Sequence, residues 1–368
     1  MSEAEINGKP ASLAAAAERS AEILTQARMP LFAGLGTDVA GARASILLAE
    51  RLRGAYDHMY SSQIFADLDV VRQAGLMITT PSEARLRADV LLFVGKTPPD
   101  VWPAMIEWLA PYNNPPLDIA STPRKLLSIA PTRGAPKIDG LAIETLDAPD
   151  LHTTLAALRA RLTGKSLRST KNTLRKLDEF VEILKNAHFG VAVWCSESEG
   201  LDSLAIEMLH GLLLDLNKTT RFSGLPLGPP RAGANASGVL QTSGWMTGFP
   251  MRTSFGRGFP EHDSWQFDAE RLVDSGEADA ALWISAYDSS APPWKRNIPL
   301  IALMASSITF HREPQVRIHV GRPGVDHDCV EFMREVGSLT GRRASHQSEK
   351  PSVARVLDEI TKYLGEDS

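Results

Sequence analysis

The chain has 368 residues, of which 43% are hydrophobic and 23% are charged, and its formal net charge is −5 at pH 7. This length and composition are typical of a globular protein with two or three domains. The mild negative charge does not favour binding to nucleic acid or to an anionic membrane. The longest apolar runs, 90–94 and 299–305, are far shorter than the ~20 residues of a membrane helix. The N-terminus lacks the pattern of a secretory signal, so we expect a cytoplasmic protein.

The two cysteines, Cys195 and Cys329, are far apart in the chain, and neither lies in a Cys-x-x-Cys motif. An iron–sulfur cluster usually needs four thiolates, and a structural zinc site needs more Cys and His ligands than this. We therefore expect no metal site in this chain.

Strands and helices alternate along the sequence, and the strands are short and almost wholly apolar. The predicted strands are 29–33, 88–95, 126–130, 190–194, 278–285, 299–305 and 316–320. The predicted helices are 42–53, 101–109, 151–162, a long helix ending near Ala187, 201–216 and 353–364. Such strands predict an α/β protein whose parallel sheet is covered by helices on both faces.

The same scheme occurs twice, which predicts two α/β halves. Each half contains a buried strand led by Ala-Asp, at 88–89 and at 278–279. A Ser/Thr/Lys/Arg-rich link at 166–176 separates them. We predict an N-terminal tail and helix over 1–28, a first domain over 29–165 and a second domain over 166–368.

The segment 226–260 is rich in glycine and proline, yet it also contains one tryptophan and three phenylalanines. Its composition predicts a long irregular segment, and such segments in compact proteins are usually functional or disordered. The aromatic residues argue against disorder. Arg231, Arg252, Arg257 and Asn235 lie within it, so it could hold an anion, or it could be an ordered interface loop.

Other motifs have simple structural interpretations. Gly34 and Gly36 follow a strand, but the third position of a dinucleotide-binding fingerprint is Val39, so a tight turn that needs positive φ is favoured. The residues 326–329 (Asp-His-Asp-Cys) would point to opposite faces of an extended chain and are interpreted as a loop. For Cys195, at a strand end, a free thiol is favoured over a nucleophile.

Several short motifs occur in an order that resembles a known family. They are Asp57-His58-Met59-Tyr60-Ser61-Ser62, then Gly75, Glu83-x-x-x-Arg87-Ala88-Asp89-Val90, Ala232-Gly233-Ala234-Asn235, Gln241-Thr242, Gly248-Phe249-Pro250, Ser254-Phe255-x-Arg257-Gly258-Phe259-Pro260, Gly276 to Leu282, and Val320-x-x-Pro323-Gly324-Val325-Asp326. The chain resembles the B subunit of formylmethanofuran dehydrogenase, in the molybdopterin oxidoreductase superfamily. The resemblance implies two Rossmann-like parallel-sheet halves, as in the formate dehydrogenase/DMSO reductase-like core.

The departures from that family concern its redox groups. The cysteine segment for a [4Fe–4S] cluster is not found, and Gln63 stands where the family has a metal-binding cysteine. A Gly-x-Asn-Pro motif is changed at Gly95-Lys96-Thr97-Pro98, and an Asp-Pro-Arg motif is changed around Ala130-Pro131-Thr132. A soft metal prefers a thiolate to an amide. We therefore expect no catalytic, cofactor-binding or metal-binding residue. The remnants of the cofactor pocket would be Gly36, Ser62, Gln63, Gly95, Asn235 and Arg257.

This pattern is similar to the B subunit of the bacterial formyltransferase/hydrolase complex of methylotrophs, in tetrahydromethanopterin- and methanofuran-dependent one-carbon metabolism. The similarity implies a non-redox, non-catalytic core subunit. Its implied partners are an amidohydrolase-like A subunit that carries zinc, a C subunit and a formyltransferase D subunit. Two alternatives are a pterin-binding oxidoreductase subunit and a module that binds the methanofuran-like formyl carrier.

Overall fold

The structure is a computed structural model that describes residues 3–95, 105–111, 113–117, 123–130, 142–195, 201–227, 230–346 and 348–365. The chain forms two compact units. Unit 1 contains residues 1–62, 232–333 and 338–368, and unit 2 contains residues 63–231 and 334–337.

The helices in the described residues are α1 Leu13–Gln26, α2 Val39–Arg51, α3 Ser61–Ala74, α4 Pro81–Arg87, α5 Met105–Leu109, α6 Leu151–Leu162, α7 Lys171–Lys185, α8 Ser203–Leu216, α9 Ala236–Thr247, α10 Ala269–Ser275 and α11 Val353–Lys362. A 3₁₀ helix, Pro230–Asn235, precedes α9.

The strands in the described residues are β1 Ala4–Ile6, β2 Lys9–Ala11, β3 Pro30–Gly36, β4 Ala55–Tyr56, β5 Val90–Val94, β6 Lys125–Ala130, β7 Ile143–Asp147, β8 Gly190–Cys195, β9 Phe222–Leu227, β10 Thr253–Ser254, β11 Glu261–His262, β12 Ala280–Ser285, β13 Leu300–Met304, β14 Val316–His319, β15 Cys329–Met333 and β16 Ser338–Arg342. Each predicted strand and helix has a counterpart here, and α6 has the predicted bounds. Residues 101–104 of one predicted helix lie outside the described residues.

The main sheet of unit 1 is parallel at its centre and antiparallel at both edges. Within the described residues its strand order is β11-β10-β4-β3-β12-β13-β14-β1-β2. The five strands from β4 to β14 run parallel. The chain runs from β3 to β4 on one side and later enters β12 on the other side of β3. The β3–β12 pair is therefore a switch point, and ligand sites in open α/β sheets lie at the carboxyl ends of such strands.

Unit 2 contains a wholly parallel sheet with the order β7-β6-β5-β8-β9. Alternate residues of its strands enter two different apolar clusters. Leu92 packs with the cluster that includes α6, α7 and α8, whereas Leu91 and Phe93 pack with the cluster that includes α4 and α5. The sheet is thus buried on both faces, as the apolar strands predicted.

The predicted boundary between residues 165 and 166 does not coincide with the division between the units. The chain passes from unit 1 to unit 2 after Ser62 and returns at Ala232. The reason is strand pairing, because β12, β13 and β14 complete the sheet begun by β3. A parallel neighbour can come from a distant part of the chain, so the order of elements along the sequence does not mark the boundary.

The repeated Ala-Asp pairs have the same structural role in both units. Asp89 precedes β5 and accepts hydrogen bonds from the backbone N–H groups of His188 (2.8 Å) and Phe189 (2.9 Å), just before β8. Asp279 precedes β12 and accepts hydrogen bonds from the N–H groups of Arg28 (3.2 Å) and Met29 (3.1 Å), just before β3. Each aspartate therefore fixes the amino end of the parallel pair at its switch point.

The structure corrects two predictions, the polar tail at the N-terminus and the irregular segment 226–260. Residues 4–11 form a β-hairpin through Asn7 and Gly8, which both have positive φ, and β1 pairs with β14. Asn-Gly is a strong signal for such a turn. The segment 226–260 contains helix α9. A Cβ atom at Gly238 in this helix would lie 2.2 Å from the Asn235 Oδ1 atom, so the glycine is required by packing.

None of the described helices has the length and apolar character of a membrane-spanning segment.

His210 of α8 is fully buried, and neither of its ring nitrogens has a hydrogen-bond partner among the described residues. Its ring contacts the Trp194 ring edge-on at 5.7 Å. Burial lowers the pKa of His210 below its usual value. An unpaired buried nitrogen costs about 1–3 kcal/mol of folding free energy. We predict that His210→Leu stabilises unit 2 by about 1 kcal/mol or more at pH 8 in urea unfolding.

The gain from His210→Leu will increase as the pH falls below 6.5. The unfolded chain binds a proton at His210 in that range, whereas the folded chain keeps the ring neutral, so wild-type stability is lost. A variant that is less stable than wild type at both pH 8 and pH 5.5 contradicts this interpretation.

Candidate functional site

A polar cavity of about 240 Å³ lies at the carboxyl edge of the unit 1 sheet. Its walls come from the end of β3, the segment after β4, the start of α10 and the segment after β12. The lining residues are Gly34, Asp57, His58, Met59, Tyr60, Ser61, Ser62, Arg252, Asp268, Ala269, Glu270, Trp283, Ser290, Ala291 and Pro293. This is the edge at which the switch point places ligand sites in open α/β sheets.

Arg252 is the charged centre of the cavity wall, and its side chain is only 10% exposed. Its guanidinium contacts two carboxylates, Asp268 Oδ2 at 2.6 Å and Asp57 Oδ2 at 3.4 Å. Its other hydrogen bonds go to Ser61 Oγ (3.2 Å), Ser62 Oγ (2.7 Å) and the Ser264 carbonyl. The residue has a left-handed backbone, with φ +60°. Arg252 is therefore held in place by the protein's own groups.

Asp57 is buried behind this guanidinium. It accepts hydrogen bonds from the N–H groups of His58 (2.8 Å) and Ala269 (3.1 Å). Burial raises the pKa of Asp57 to about 6, although the Arg252 charge and the hydrogen bonds favour the ionised form. Near neutral pH the carboxylate is ionised and pairs with Arg252.

His58 is buried beside Asp57 with a defined tautomer. Its Nδ1 atom accepts a hydrogen bond from the Tyr60 N–H (3.0 Å), so the ring proton is on Nε2, which donates to the Ala234 carbonyl (3.3 Å). Burial lowers the pKa of His58 to about 4. The ring is neutral at physiological pH and joins the Asp57 segment to Ala234.

Left-handed backbone is concentrated at this edge of the sheet. Gly34 and Leu35 have φ +79° and +48°, and Gly233, Ala234 and Asn235 have φ +52°, +47° and +64°. A Cβ atom at Gly34 would lie 2.6 Å from the Ile284 carbonyl oxygen, which explains the glycine. The positive φ expected at Gly34 is confirmed, but the residue lies inside β3, at a register shift of the β3–β12 pair, and not in a turn after the strand. Such strain is common where surrounding structure fixes a functional site.

Asn235 joins the two strained segments. Its Nδ2 group donates to the Thr37 carbonyl (2.8 Å), and its Oδ1 atom accepts from the Phe332 N–H (2.9 Å). A Cβ atom at Gly36 would lie 3.3 Å from the Ala234 Cβ atom, so the two turns are in close contact. The amide of Asn235 is committed to the protein backbone.

A second group of titratable side chains lies near the start of α2. Glu331 accepts hydrogen bonds from Tyr287 Oη (2.7 Å) and Arg342 Nη1 (2.8 Å). Burial raises the pKa of Asp38, and burial with Glu331 and Asp38 raises the pKa of the Cys329 thiol to about 12. A thiol with this pKa stays protonated and is a poor nucleophile or metal ligand.

The six predicted pocket residues are divided between the two units. Gly36, Ser62, Asn235 and Arg257 belong to unit 1, whereas Gln63 and Gly95 belong to unit 2. Gly36 and Asn235 flank the strained turns, and Ser62 contacts Arg252. Arg257 is 74% exposed and pairs with Glu261 at 3.3 Å. The Oε1 atom of Gln63 is buried, without a hydrogen-bond partner among the described residues.

The anion interpretation of the glycine-rich segment finds no support at Arg252 or Arg257, because each pairs with a carboxylate. The side chain of Arg231 lies outside the described residues. So do residues 131–132 and 96–98, where the family motifs change, and residues 196–200 after Cys195. Cys195 itself is buried at the end of β8.

The Asp-His-Asp-Cys segment does not converge on one point. Asp326 contacts the Arg322 N–H and His346, and Asp328 accepts from the Ala344 N–H. Among the described residues, no group of three or more His, Cys, Asp or Glu side chains is arranged to hold a metal ion.

Sequence reasoning missed the roles of Asp57, His58 and Asp268. The first two stood in a motif that carried the family resemblance, but nothing in their spacing indicated burial against Arg252. Asp268 has one local signal, because it caps α10 by accepting a hydrogen bond from the Arg271 N–H (2.9 Å). The pairing of Asp268 with Arg252 has no sequence signal.

The fold and site define an α/β protein with parallel sheets and a polar cavity at a switch point. No family model matches the chain. It is 37% identical over 354 residues to the Fhc B subunit of the formyltransferase/hydrolase complex of Methylorubrum extorquens, covering 94% of this chain and 92% of that protein. The chain belongs to this family of formyltransferase/hydrolase complex B subunits.

Solved structures and more distant relatives agree with that assignment. The X-ray crystal structure of the complex FhcABCD from Methylorubrum extorquens, in complex with methylofuran, contains a chain with a TM-score of 0.86 and 34% identity. The match covers 98% of both chains. The B subunit of the tungsten-containing formylmethanofuran dehydrogenase 2 of Methanocaldococcus jannaschii is 28% identical, covering 78% of this chain and 68% of that protein. The Methanococcus maripaludis protein of the same name is 26% identical with the same coverage.

We predict that Arg252→Met destabilises unit 1 by about 3–5 kcal/mol, because it leaves two carboxylates at a buried site without their cation. Arg257→Met is the matched control from the same segment. Arg257 is exposed, and its ion pair contributes little. Urea unfolding at pH 7 measures both variants, and equal effects would contradict the importance of the buried contacts.

His58→Gln will reduce the loss of stability in mild acid. The folded pKa of His58, about 4, lies below that of the unfolded chain, about 6.5, so wild-type stability is lost as the pH falls through this range. The expected loss is on the order of 2 kcal/mol. The raised pKa of Asp57 acts in the opposite direction and stabilises the fold as the pH falls. This contribution is present in both proteins, so it cancels when the free energy of unfolding of wild type is subtracted from that of the variant. If that free-energy difference is the same at pH 7 and at pH 4.5, the prediction is contradicted.

Proposed function

We propose that this chain is the non-redox, non-catalytic core subunit of a formyltransferase/hydrolase complex in one-carbon metabolism. The observation that carries the proposal is the match with the Fhc B subunit, which extends over 94% of the chain in sequence and 98% in structure. The fold adds support, since the main sheet of each unit is parallel, with antiparallel strands only at the edges of the unit 1 sheet.

In this proposal the partners are the A, C and D subunits. The A subunit is amidohydrolase-like and carries zinc, and the D subunit is the formyltransferase. Together they transfer the formyl group and hydrolyse the formyl carrier to formate in the cytoplasm. The FhcABCD complex of Methylorubrum extorquens supports the assembly. We also propose that the fold derives from a molybdopterin oxidoreductase-like core.

The side chains at the carboxyl edge of unit 1 do not fit a phosphate-bearing pterin cofactor with a soft metal. The buried guanidinium of Arg252 is matched by two carboxylates, and the amide of Asn235 is bonded to the backbone. No cysteine lines the cavity among the described residues. In unit 2, Gln63 stands where the family resemblance places a metal-binding cysteine, and a soft metal prefers a thiolate to an amide. These features support a cofactor site that no longer operates.

Gln63→Ala tests this proposal in the assembled complex. We predict formate release within about twofold of wild type, because Gln63 binds no reacting group. Gln26→Ala, an exposed residue at the end of α1, is the matched control. A thousandfold loss at Gln63, about 4 kcal/mol of transition-state stabilisation, would contradict the proposal if the complex still assembles on size-exclusion chromatography.

The carrier-binding alternative has one observation in its favour, since the solved FhcABCD complex contains methylofuran. In this alternative the chain holds the carrier for the active sites of its partners. The discriminating measurement is the affinity of the purified chain for methylofuran. Binding at the affinity of the whole complex would favour the alternative, and no binding would remove it.

A further inference from the structure

The cavity beside Arg252 has an unusual distribution of free and committed polar groups. Most groups in its wall are already paired with one another. Arg252 is matched by Asp57 and Asp268, and both ring nitrogens of His58 are bonded to backbone groups. The wall is therefore preorganised, and these groups do not need a ligand to complete their hydrogen bonds.

Three lining side chains remain available to a ligand. Glu270, in the first turn of α10, is exposed, and its carboxylate has no hydrogen-bond or ion-pair partner among the described residues. Ser62 accepts a hydrogen bond from Arg252 and keeps its own proton for donation. Ser290 uses its backbone N–H and carbonyl for Asp288 and Trp283, which leaves its hydroxyl unused in the described structure.

The charge of the lining decides which ligands the cavity accepts. The lining contains three carboxylates, of Asp57, Asp268 and Glu270, and one guanidinium, of Arg252, so its formal charge is −2 when all are ionised. A phosphate or carboxylate ligand would meet repulsion from these groups, with no unmatched cation to receive it. A positively charged ligand would be attracted, and Glu270 is the acceptor that remains for it.

We propose that this cavity binds a small organic cation, with a primary ammonium group seated against Glu270 and the hydroxyls of Ser62 and Ser290. The volume of about 240 Å³ equals about eight water molecules at roughly 30 Å³ each. A ring-sized amine fills such a space. This inference does not depend on the proposed function, because it follows from the charges and contacts of unit 1 alone.

The first test compares three probes of similar shape and different charge. They are benzylammonium, benzyl alcohol and benzoate, titrated at pH 7.5 into the full-length chain in the assembly from which it is purified. Ligand-observed NMR measures the dissociation constants. The expected result is benzylammonium binding in the millimolar range, at least threefold tighter than benzyl alcohol, with no competition from benzoate. Equal affinities for the ammonium and the alcohol overturn the proposal.

Variants then place the binding in this cavity. Glu270→Gln will weaken benzylammonium binding about fivefold, as expected for an exposed ion pair, whereas Glu18→Gln, at an exposed position on α1, will not change it. Ala291→Phe, which fills the cavity without changing its charge, will abolish binding. Equal affinity in wild type and Glu270→Gln, or equal losses at Glu270 and Glu18, overturns the proposal even if Ala291→Phe fails to fold.

A converse variant tests the electrostatic reason. Asp268→Asn keeps a good helix-capping residue but removes one carboxylate from Arg252. The variant will bind benzylammonium more weakly than wild type and will gain measurable affinity for benzoate. Unchanged selectivity between the two probes contradicts the argument that paired carboxylates determine which charge the cavity accepts.

Discussion

The buried guanidinium of Arg252 is the contact on which the carboxyl edge of unit 1 depends. From its own segment, just before β10, it contacts two segments that are distant in the chain: the residues after β4 and the cap of α10. Because a buried charge without a partner is costly, the position of each segment is determined by the position of this cation. The same pairing sets the electrostatic character of the cavity, since it leaves no unmatched positive charge for an anion.

Strained backbone surrounds this contact, and its origin lies in the sheet. Near its carboxyl end β3 contains the left-handed residues Gly34 and Leu35, at a register shift of the β3–β12 pair, and Gly34 passes close to the carbonyl of Ile284. Asn235 bonds Thr37, just after β3, to the left-handed segment that precedes α9. At the opposite edge of the sheet, Asp279 fixes the amino ends of the same two strands. The pair is thus held at both ends, which keeps the strained turns in one arrangement.

The sequence predicted the fold where local patterns control structure. Buried strands such as β5 and β12 are continuous apolar runs, and α6 begins and ends at local signals. The N-terminal hairpin could also have been predicted from Asn7-Gly8, but its strands are too short for a hydrophobic pattern. Helix α9 was missed because its glycines disfavour a helix in isolation, and packing against Asn235 reverses that preference at Gly238.

The site could not be predicted to the same degree. The family resemblance pointed to Ser62 and Asn235, which do lie at the carboxyl edge of unit 1. The pairing of Arg252 with Asp57 and Asp268 depends on a sheet assembled from distant parts of the chain, and no spacing in the sequence encodes it. Charge balance at a buried site requires the partners of each group, which only the folded structure supplies.

We propose a core subunit in which the redox site of its relatives is lost, and the metal content of the complex tests this proposal most directly. The measurement is the amount of molybdenum, tungsten, iron and zinc per chain in the complex purified from its native source. We predict no molybdenum, tungsten or cluster iron that belongs to this chain, with zinc bound to a partner subunit. One molybdenum or tungsten atom per chain would contradict the proposal.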